Sequence, residues 1–245
     1  MRIRLADYVA DFLVSHGVTD VFSVVGGGAM HLNDAFGHQE GLKITYNHHE
    51  QACTIAAEGY TRQTGKIAPV CVTGGPGGTN AITGVFGAYV DSIPMFVVTG
   101  QAKRETTVWS TNLPLRQLGD QEVNITSAVS TMTKYAKMIT DPMSIRKEVE
   151  KAWFLMLNGR PGPVWLDIPG DVASTFIETD DLEGFDKQGY IDEHWASFNQ
   201  DNPVYDEQYT KDVLAKIKEA KRPVILAGTA IRHANQQNEF IKCID

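Results

Sequence analysis

Four short apolar runs, each leading into a turn and then into a helix-patterned segment, restrict this chain more than any other feature of its sequence. Val21 to Val25 runs into Gly26-Gly27-Gly28, and Ile44 to Tyr46 runs into Asn47-His48-His49-Glu50. Val70 to Thr73 leads into Gly74-Gly75-Pro76-Gly77-Gly78, and Met95 to Thr99 ends at Gly100. Between them, the spacing predicts helices over Met30 to His38, Glu50 to Gln63 and Thr79 to Tyr89. An earlier helix, with Leu5, Tyr8, Val9, Phe12 and Leu13 on one face, is ended by Gly17. Alternating strands and helices imply an α/β fold, a parallel sheet with helices on both faces. Ligands of such sheets sit beyond the carboxyl ends of the strands, where these turns fall.

Further along, Met132 to Ile139 reads as a strand. Asp141-Pro142 caps a helix reaching Leu157, and Val164 to Ile168 closes the unit as another strand. From Val172 to Asp206 acidic and polar residues dominate and periodicity fades, which predicts a linker. A helix over Glu207 to Ala220 and a buried strand over Pro223 to Ala227 then open a second α/β domain. The expected division is 1–171, a linker over 172–206, and 207–245 as a truncated second domain. A chain ending about one helix later reads as a fragment.

Charge and cysteine content narrow the partners. With 22 Lys and Arg against 30 Asp and Glu, the net charge of −8 argues against a nucleic-acid or anionic-membrane partner. Cys53, Cys71 and Cys243 form no CxxC pair, so they read as reduced thiols of a cytoplasmic protein. No signal-type segment opens the chain, and no apolar run approaches the roughly 18 residues of a membrane span.

Glu50 stands where the second strand gives way to a helix. It is either a first-turn acid complementing the helix dipole or a functional carboxylate facing the same sheet edge as the glycine turns. The loop Thr73-Gly-Gly-Pro-Gly-Gly-Thr-Asn80 either brings backbone N–H groups close to a ligand or makes a tight turn. It lacks the Gly-Lys-Ser/Thr of a Walker site. In a dinucleotide-binding reading Gly26 and Gly28 fit, but His31 occupies the third glycine position, where helix and strand must pack closely. His31, His38, His48 and His49 have no helical H-x-x-x-H spacing, so no metal site is predicted. Asp120 and Glu122 are either an acid/base pair or solvated loop carboxylates. Arg160 either binds an anion or caps the preceding helix.

Taken together, these blocks resemble the thiamine-diphosphate enzymes that decarboxylate 2-keto acids, acetolactate synthase most closely. The matching blocks are His49-Glu50-Gln51, Ala56-Ala57-Glu58-Gly59-Tyr60, Thr73 to Gly84, Asp91-Ser-Ile-Pro94, Thr99-Gly100-Gln101, Gln121-Glu122 and Gly159-Arg-Pro-Gly-Pro-Val164. The likeness runs from Leu5 to about Asp171, and Ala220 to Gly228 resembles the start of the family's central domain.

The resemblance implies the thiamine-diphosphate-binding fold and an activity that decarboxylates a keto acid such as pyruvate, then passes the acyl unit to a second carbonyl. Glu50 is the implied catalytic acid. Hydrogen-bonded to the pyrimidine nitrogen N1′, it favours the imino tautomer that takes the thiazolium C2 proton, and withdrawal from water makes that proton sharing feasible. Val25, Gly26, Glu50, Pro76 and Asn80 are implied cofactor contacts, and Gly27, Gln101 and Gln121 are implied to line the substrate pocket. FAD could touch Arg160. Magnesium and the diphosphate are implied to be held by a Gly-Asp-Gly…Asn domain absent from this chain, and the active unit to be a homodimer or homotetramer.

Three features depart from the family. Val25 replaces its proline, and Asp120 replaces a frequent aromatic. Lys103 to Leu118 is longer than its counterpart. A decarboxylase, a carboligase with another acceptor such as a sugar-linked ketone, and a non-catalytic module of the same fold remain alternatives.

Overall fold

A computed structural model describes residues 1–194 and 206–244, in two compact units, Met1–Asp201 and Asn202–Asp245. In the first unit the chain order is β1 (Arg2–Arg4), α1 (Leu5–Ser15), β2 (Asp20–Ser23), α2 (Met30–His38), β3 (Lys43–Tyr46), α3 (Glu50–Thr64), β4 (Val70–Thr73) and α4 (Pro76–Val90). It continues with β5 (Met95–Gln101), α5 (Ile125–Ala128), β6 (Tyr135–Met138), α6 (Ile145–Leu157), β7 (Pro163–Pro169), α7 (Gly170–Ala173), β8 (Phe176–Glu178) and α8 (Lys187–Glu193). The main sheet has six strands in the order β3-β2-β4-β5-β7-β6, every pair parallel.

Helices cover both faces, as expected. On one, α1, α2 and α6 bury Leu5, Leu13, Phe36, Ile145 and Met156. On the other, α3 and α4 bury Cys53, Ala57, Ala81 and Val85 against Val70, Val72 and Trp165. The central strands β5 and β7 are buried at every position, which explains their near-continuous apolar sequence.

Three expectations need correction. Helix α4 begins at Pro76, three residues before the predicted Thr79, because proline suits the first helical position, where its missing N–H has no partner to lose. The expected linker is structured in its first part: β8 pairs antiparallel with β1, and Val172, Ala173, Ile177 and Leu182 join the core. Its polar residues hid this, since a three-residue strand leaves almost no alternation to read. The part over 195–205 lies outside the described residues.

The third correction concerns the second unit. It has helices over Glu207–Glu219, Ala230–His233 and Gln237–Ile244, but Pro223 to Ala227 forms no strand. Val224 and Leu226 are 92% and 98% exposed. A strand needs a neighbour for its backbone N–H and C=O groups, and the described residues of this unit offer none.

Candidate functional site

Glycine makes one edge of the main sheet unusually compact. A Cβ on Gly26 would lie 2.8 Å from Thr73 Cβ, and one on Gly28 would lie 2.6 Å from the Gly100 carbonyl oxygen. The Gly74 N–H donates to that same oxygen at 2.7 Å. The turns after β2, β4 and β5 therefore touch through bare backbone, as the position of ligand sites in parallel sheets requires. Val25 is 65% exposed at the tip of the first turn, and Gly27 beside it faces open space.

Glu50, the first residue of α3, is half-buried at this edge. Its Oε1 lies 3.3 Å from where a Gly77 Cβ would be, and its Oε2 accepts a 2.7 Å hydrogen bond from Asn80 Nδ2. The carboxylate thus stands at the amino ends of both α3 and α4, where helix dipoles favour negative charge. Close helix packing brings these residues together: a Cβ on Gly84 would fall 2.2 Å from Thr54 Oγ1, which donates to the Ala81 carbonyl at 3.1 Å. Asn80 Nδ2 also lies 3.3 Å from His49 Nε2. One turn along α3, burial pushes the Cys53 thiol pKa up; a hydrogen bond from Asn47 opposes this and the Glu50 charge reinforces it.

Pro76 is exposed at the start of α4, and Gln121 closes the far side of the turn. Gln121 takes a left-handed conformation (φ 57°), and its carbonyl oxygen would lie 2.1 Å from a Cβ on Gly75, whose own φ is 63°. Glu50, Gly26, Gly27, Val25, Pro76, Asn80 and Gln121 therefore share one edge.

Gln101 and Arg160 are placed differently. Gln101 is 4% exposed and its carboxamide is fully used: Nε2 donates to Val123 O and Asp167 Oδ2, both at 3.0 Å, while Oε1 accepts from Ala102 N at 3.0 Å. It braces the loop at Val123, and its Oε1 lies 3.3 Å from where a Cβ on Gly74 would be. Arg160 precedes β7, and its Nε donates to Ser92 Oγ at 2.6 Å, ahead of β5. That is the amino-terminal edge of the sheet, opposite the carboxyl-terminal turns beside which Glu50 stands.

His49 reaches the candidate site through Asn80, and the described residues contain no group of three or more His, Cys, Asp or Glu able to hold a metal. Asp120 and Glu122 are not an acid/base pair. Glu122 Oε1 accepts from Val108 N at 2.7 Å, and its Oε2 from Leu118 N and Gly119 N at 2.8 and 3.0 Å. Asp171 makes a second fastening of the same segment, accepting from Arg104 N at 2.9 Å and Arg104 Nε at 2.7 Å. Burial works against the Asp171 charge, but Arg104 outweighs it and holds the carboxyl below the usual carboxylate range.

Sequence reasoning missed Asp167, which is 1% exposed. Its Oδ1 accepts from Thr99 Oγ1 at 2.6 Å, and Thr99 accepts from Trp165 Nε1 at 2.8 Å. Burial outweighs the hydrogen bonds from Thr99 and Gln101 and pushes Asp167 up to about 6. The signal was there: one acid inside the apolar run Val164 to Ile168.

The geometry fits the pyrimidine half of a thiamine-diphosphate site: a recessed acid, and glycine turns that side chains would fill. Residues 3–128 match the family described as "Thiamine pyrophosphate enzyme, N-terminal TPP binding domain". The acetolactate synthase large subunit of Lactococcus lactis subsp. lactis is 34% identical over 224 residues, covering 91% of this chain and 36% of that protein. The same-named subunit of Buchnera aphidicola subsp. Schizaphis graminum is 33% identical, covering 96% of this chain and 38% of its own length. The acetolactate synthase of Arabidopsis thaliana, named as chloroplastic, is 29% identical over 97% of this chain and 33% of its own. The chain thus spans about a third of the length of these relatives. By its matched domain and its likeness to these proteins, the chain belongs to the thiamine pyrophosphate enzymes and carries their N-terminal TPP-binding domain.

Proposed function

We propose that this chain is the pyrimidine-binding part of an enzyme that decarboxylates a small 2-keto acid, such as pyruvate, and transfers the acyl unit to a second carbonyl. One observation carries the reading: Glu50 Oε2 is occupied by Asn80 while Oε1 lies against Gly77, inside the glycine-turn edge. The cofactor, when bound, supplies the nucleophilic carbon and the electron sink for loss of CO₂. Glu50 Oε1 would hold the proton shared with the pyrimidine N1′, and Asn80, bonded to Oε2, would keep the carboxyl oriented. Gly26, Gly74 and Gly77 would let the backbone close on the ring, with Pro76 beside it. Val25, Gly27 and Gln121 would meet substrate at the rim. Gln101 would act as a brace.

The relatives' greater length supports assigning the diphosphate and its magnesium to polypeptide outside this sequence. Those residues would come from a second copy, in a homodimer or homotetramer. Ile55 of α3 and Phe86 and Val90 of α4, exposed large apolar side chains on the two helices that hold Glu50 and Asn80, support that reading. FAD, if used, would meet Arg160 away from the Glu50 edge of its own chain. The acceptor carbonyl belongs to the same proposal, with Lys103 to Leu118 as the segment that selects it. So does a cytoplasmic location with free thiols; among the described residues no helix is long and apolar enough to cross a membrane.

The test is CO₂ release from pyruvate by the full-length protein with thiamine diphosphate and magnesium. Glu50→Gln should lower kcat by about 100-fold or more, the range lost with a positioned acid. Turnover by the variant at the unaltered rate would remove the assignment.

A further inference from the structure

The Asn80 amide nitrogen faces two titratable groups at once, Glu50 Oε2 at 2.7 Å and His49 Nε2 at 3.3 Å. An amide NH₂ carries two hydrogens, so it can serve both only if each partner accepts. For His49 this requires a neutral ring with its proton on Nδ1. An imidazolium would set N–H against N–H. Rotating the amide by half a turn relieves that conflict, because Oδ1 then accepts from the ring. The rotated oxygen faces Glu50 Oε2 as well, and two acceptors meet unless the carboxyl is protonated.

Two arrangements follow from the two charges of the ring. In one, the imidazole is neutral, the carboxylate is ionised and the amide nitrogen points inward. In the other, both groups have taken a proton from water and the amide oxygen points inward. An imidazolium beside an ionised carboxylate leaves like facing like, whereas a neutral ring beside a protonated carboxyl stays matched as long as the hydrogen sits on Oε1 and Oε2 accepts. We propose that His49 and Asn80 are positioning residues for Glu50, with the Asn80 amide relaying the charge of His49 as a choice between donor and acceptor at the carboxyl. His49 is exposed, so solvent reaches the ring that throws the switch, while Glu50 is half-buried.

The surroundings leave this relay little competition. From Pro76 to Ala88, α4 has no titratable side chain, and neither has the turn from Val24 to Met30. On α3 the nearest is the buried Cys53, with His48 just before the helix. The segment meeting Gly75 brings Asp120 and Glu122, and Glu122 is committed to three backbone N–H groups. Direct attraction between an imidazolium and a carboxylate acts in the opposite sense, favouring ionised Glu50, and solvent at this exposed ring screens it.

The catalytic meaning of the relay rests on the proposed function, but the hydrogen-bonded switch does not, so the test uses the 245-residue chain without cofactor. Nitrogen-15 NMR would follow the His49 ring and the Asn80 side-chain NH₂ from pH 8 to pH 5. The expected result is the Nδ1–H tautomer at high pH and an Asn80 transition sharing the His49 midpoint. Glu50→Gln should move that midpoint, and His49→Gln, whose amide oxygen accepts at every pH, should abolish the Asn80 transition. Backbone amide spectra verify that each variant is folded, and Glu50→Gln reports even if the His49 variant is not. An Asn80 amide that stays unmoved while His49 titrates would overturn the proposal, as would an Nε2–H tautomer. Either result leaves the function to be decided independently, by CO₂ release from Glu50→Gln.

Discussion

Two irregular stretches meet at the candidate site and are built on opposite principles. The turns at Gly26 to Gly28 and Gly74 to Gly77 are made by leaving side chains out, so that backbone meets backbone at Gly28, Gly74 and Gly75 and Thr73 packs against Gly26 and Gly77. The segment from Ala102 to Glu122 is made by putting charges in, with Glu122 and Asp171 each gathering N–H groups of a chain that has only two short 3₁₀ turns. An omitted side chain can be restored only by breaking the contact. A fastening charge can be weakened by degrees. Substitutions on the glycine side should therefore cost more than those on the charged side.

The sharpest test is Gly75→Ala, at the point where the two stretches touch. Its φ of 63° and the Gln121 carbonyl 2.1 Å from the added Cβ compound strain with overlap. The expected loss is about 3–4 kcal/mol, read from the urea midpoint at unchanged m-value. An unaltered midpoint would mean that Gln121 yields freely, and the contrast between the two stretches would disappear.

The same contrast explains what the sequence made legible. Glycine runs after apolar strands announce close backbone approach, so the parallel sheet and the edge where Glu50 stands could be read without coordinates, whereas a role for Asn80 came only with the family resemblance. Start positions slipped where a local signal went unweighed, as with Pro76 at the head of α4. The carboxylates were not legible, because an acid gathering amides and an acid facing water look alike in a string of residues. Glu122 could be read only as half of an acid/base pair or as a solvated loop carboxylate, and Gln101 was put at the pocket by the family resemblance, which says nothing of the bonds its carboxamide makes to Val123, Asp167 and Ala102. Asp167 could have been found, since an acid in a buried strand must have partners.

Asp167 also gives the contrast a pH dependence. Its pKa is raised from 3.8 to about 6 in the fold, so the ionised form is the disfavoured one. Its contribution to stability is greatest below the unfolded value and is lost as pH rises through 6, a total of roughly 3 kcal/mol for a shift of about two units. Asp171, held low, acts in the reverse direction, losing stability as pH falls. Subtracting the unfolding free energy of Asp167→Asn from that of the unaltered chain between pH 4 and pH 8 cancels such common terms. The difference should fall with rising pH. A flat difference would show that Thr99 and Gln101 fully compensate the buried charge.

Glu122→Gln should have the smallest effect and the most local one. The amide keeps the shape of the side chain but turns one acceptor into a donor, so at least one of the N–H groups of Val108, Leu118 and Gly119 loses its partner and faces another hydrogen. A charge-assisted bond of this kind contributes about 2 kcal/mol, which corresponds to about 30-fold faster amide exchange at those positions. Global stability should barely change, because Arg104 still ties the segment to Asp171 and to the Thr140 carbonyl at 2.7 Å. The two outcomes separate cleanly. Fast exchange confined to these amides makes Glu122 the clasp of the segment, whereas unaltered exchange would shift that role to Arg104.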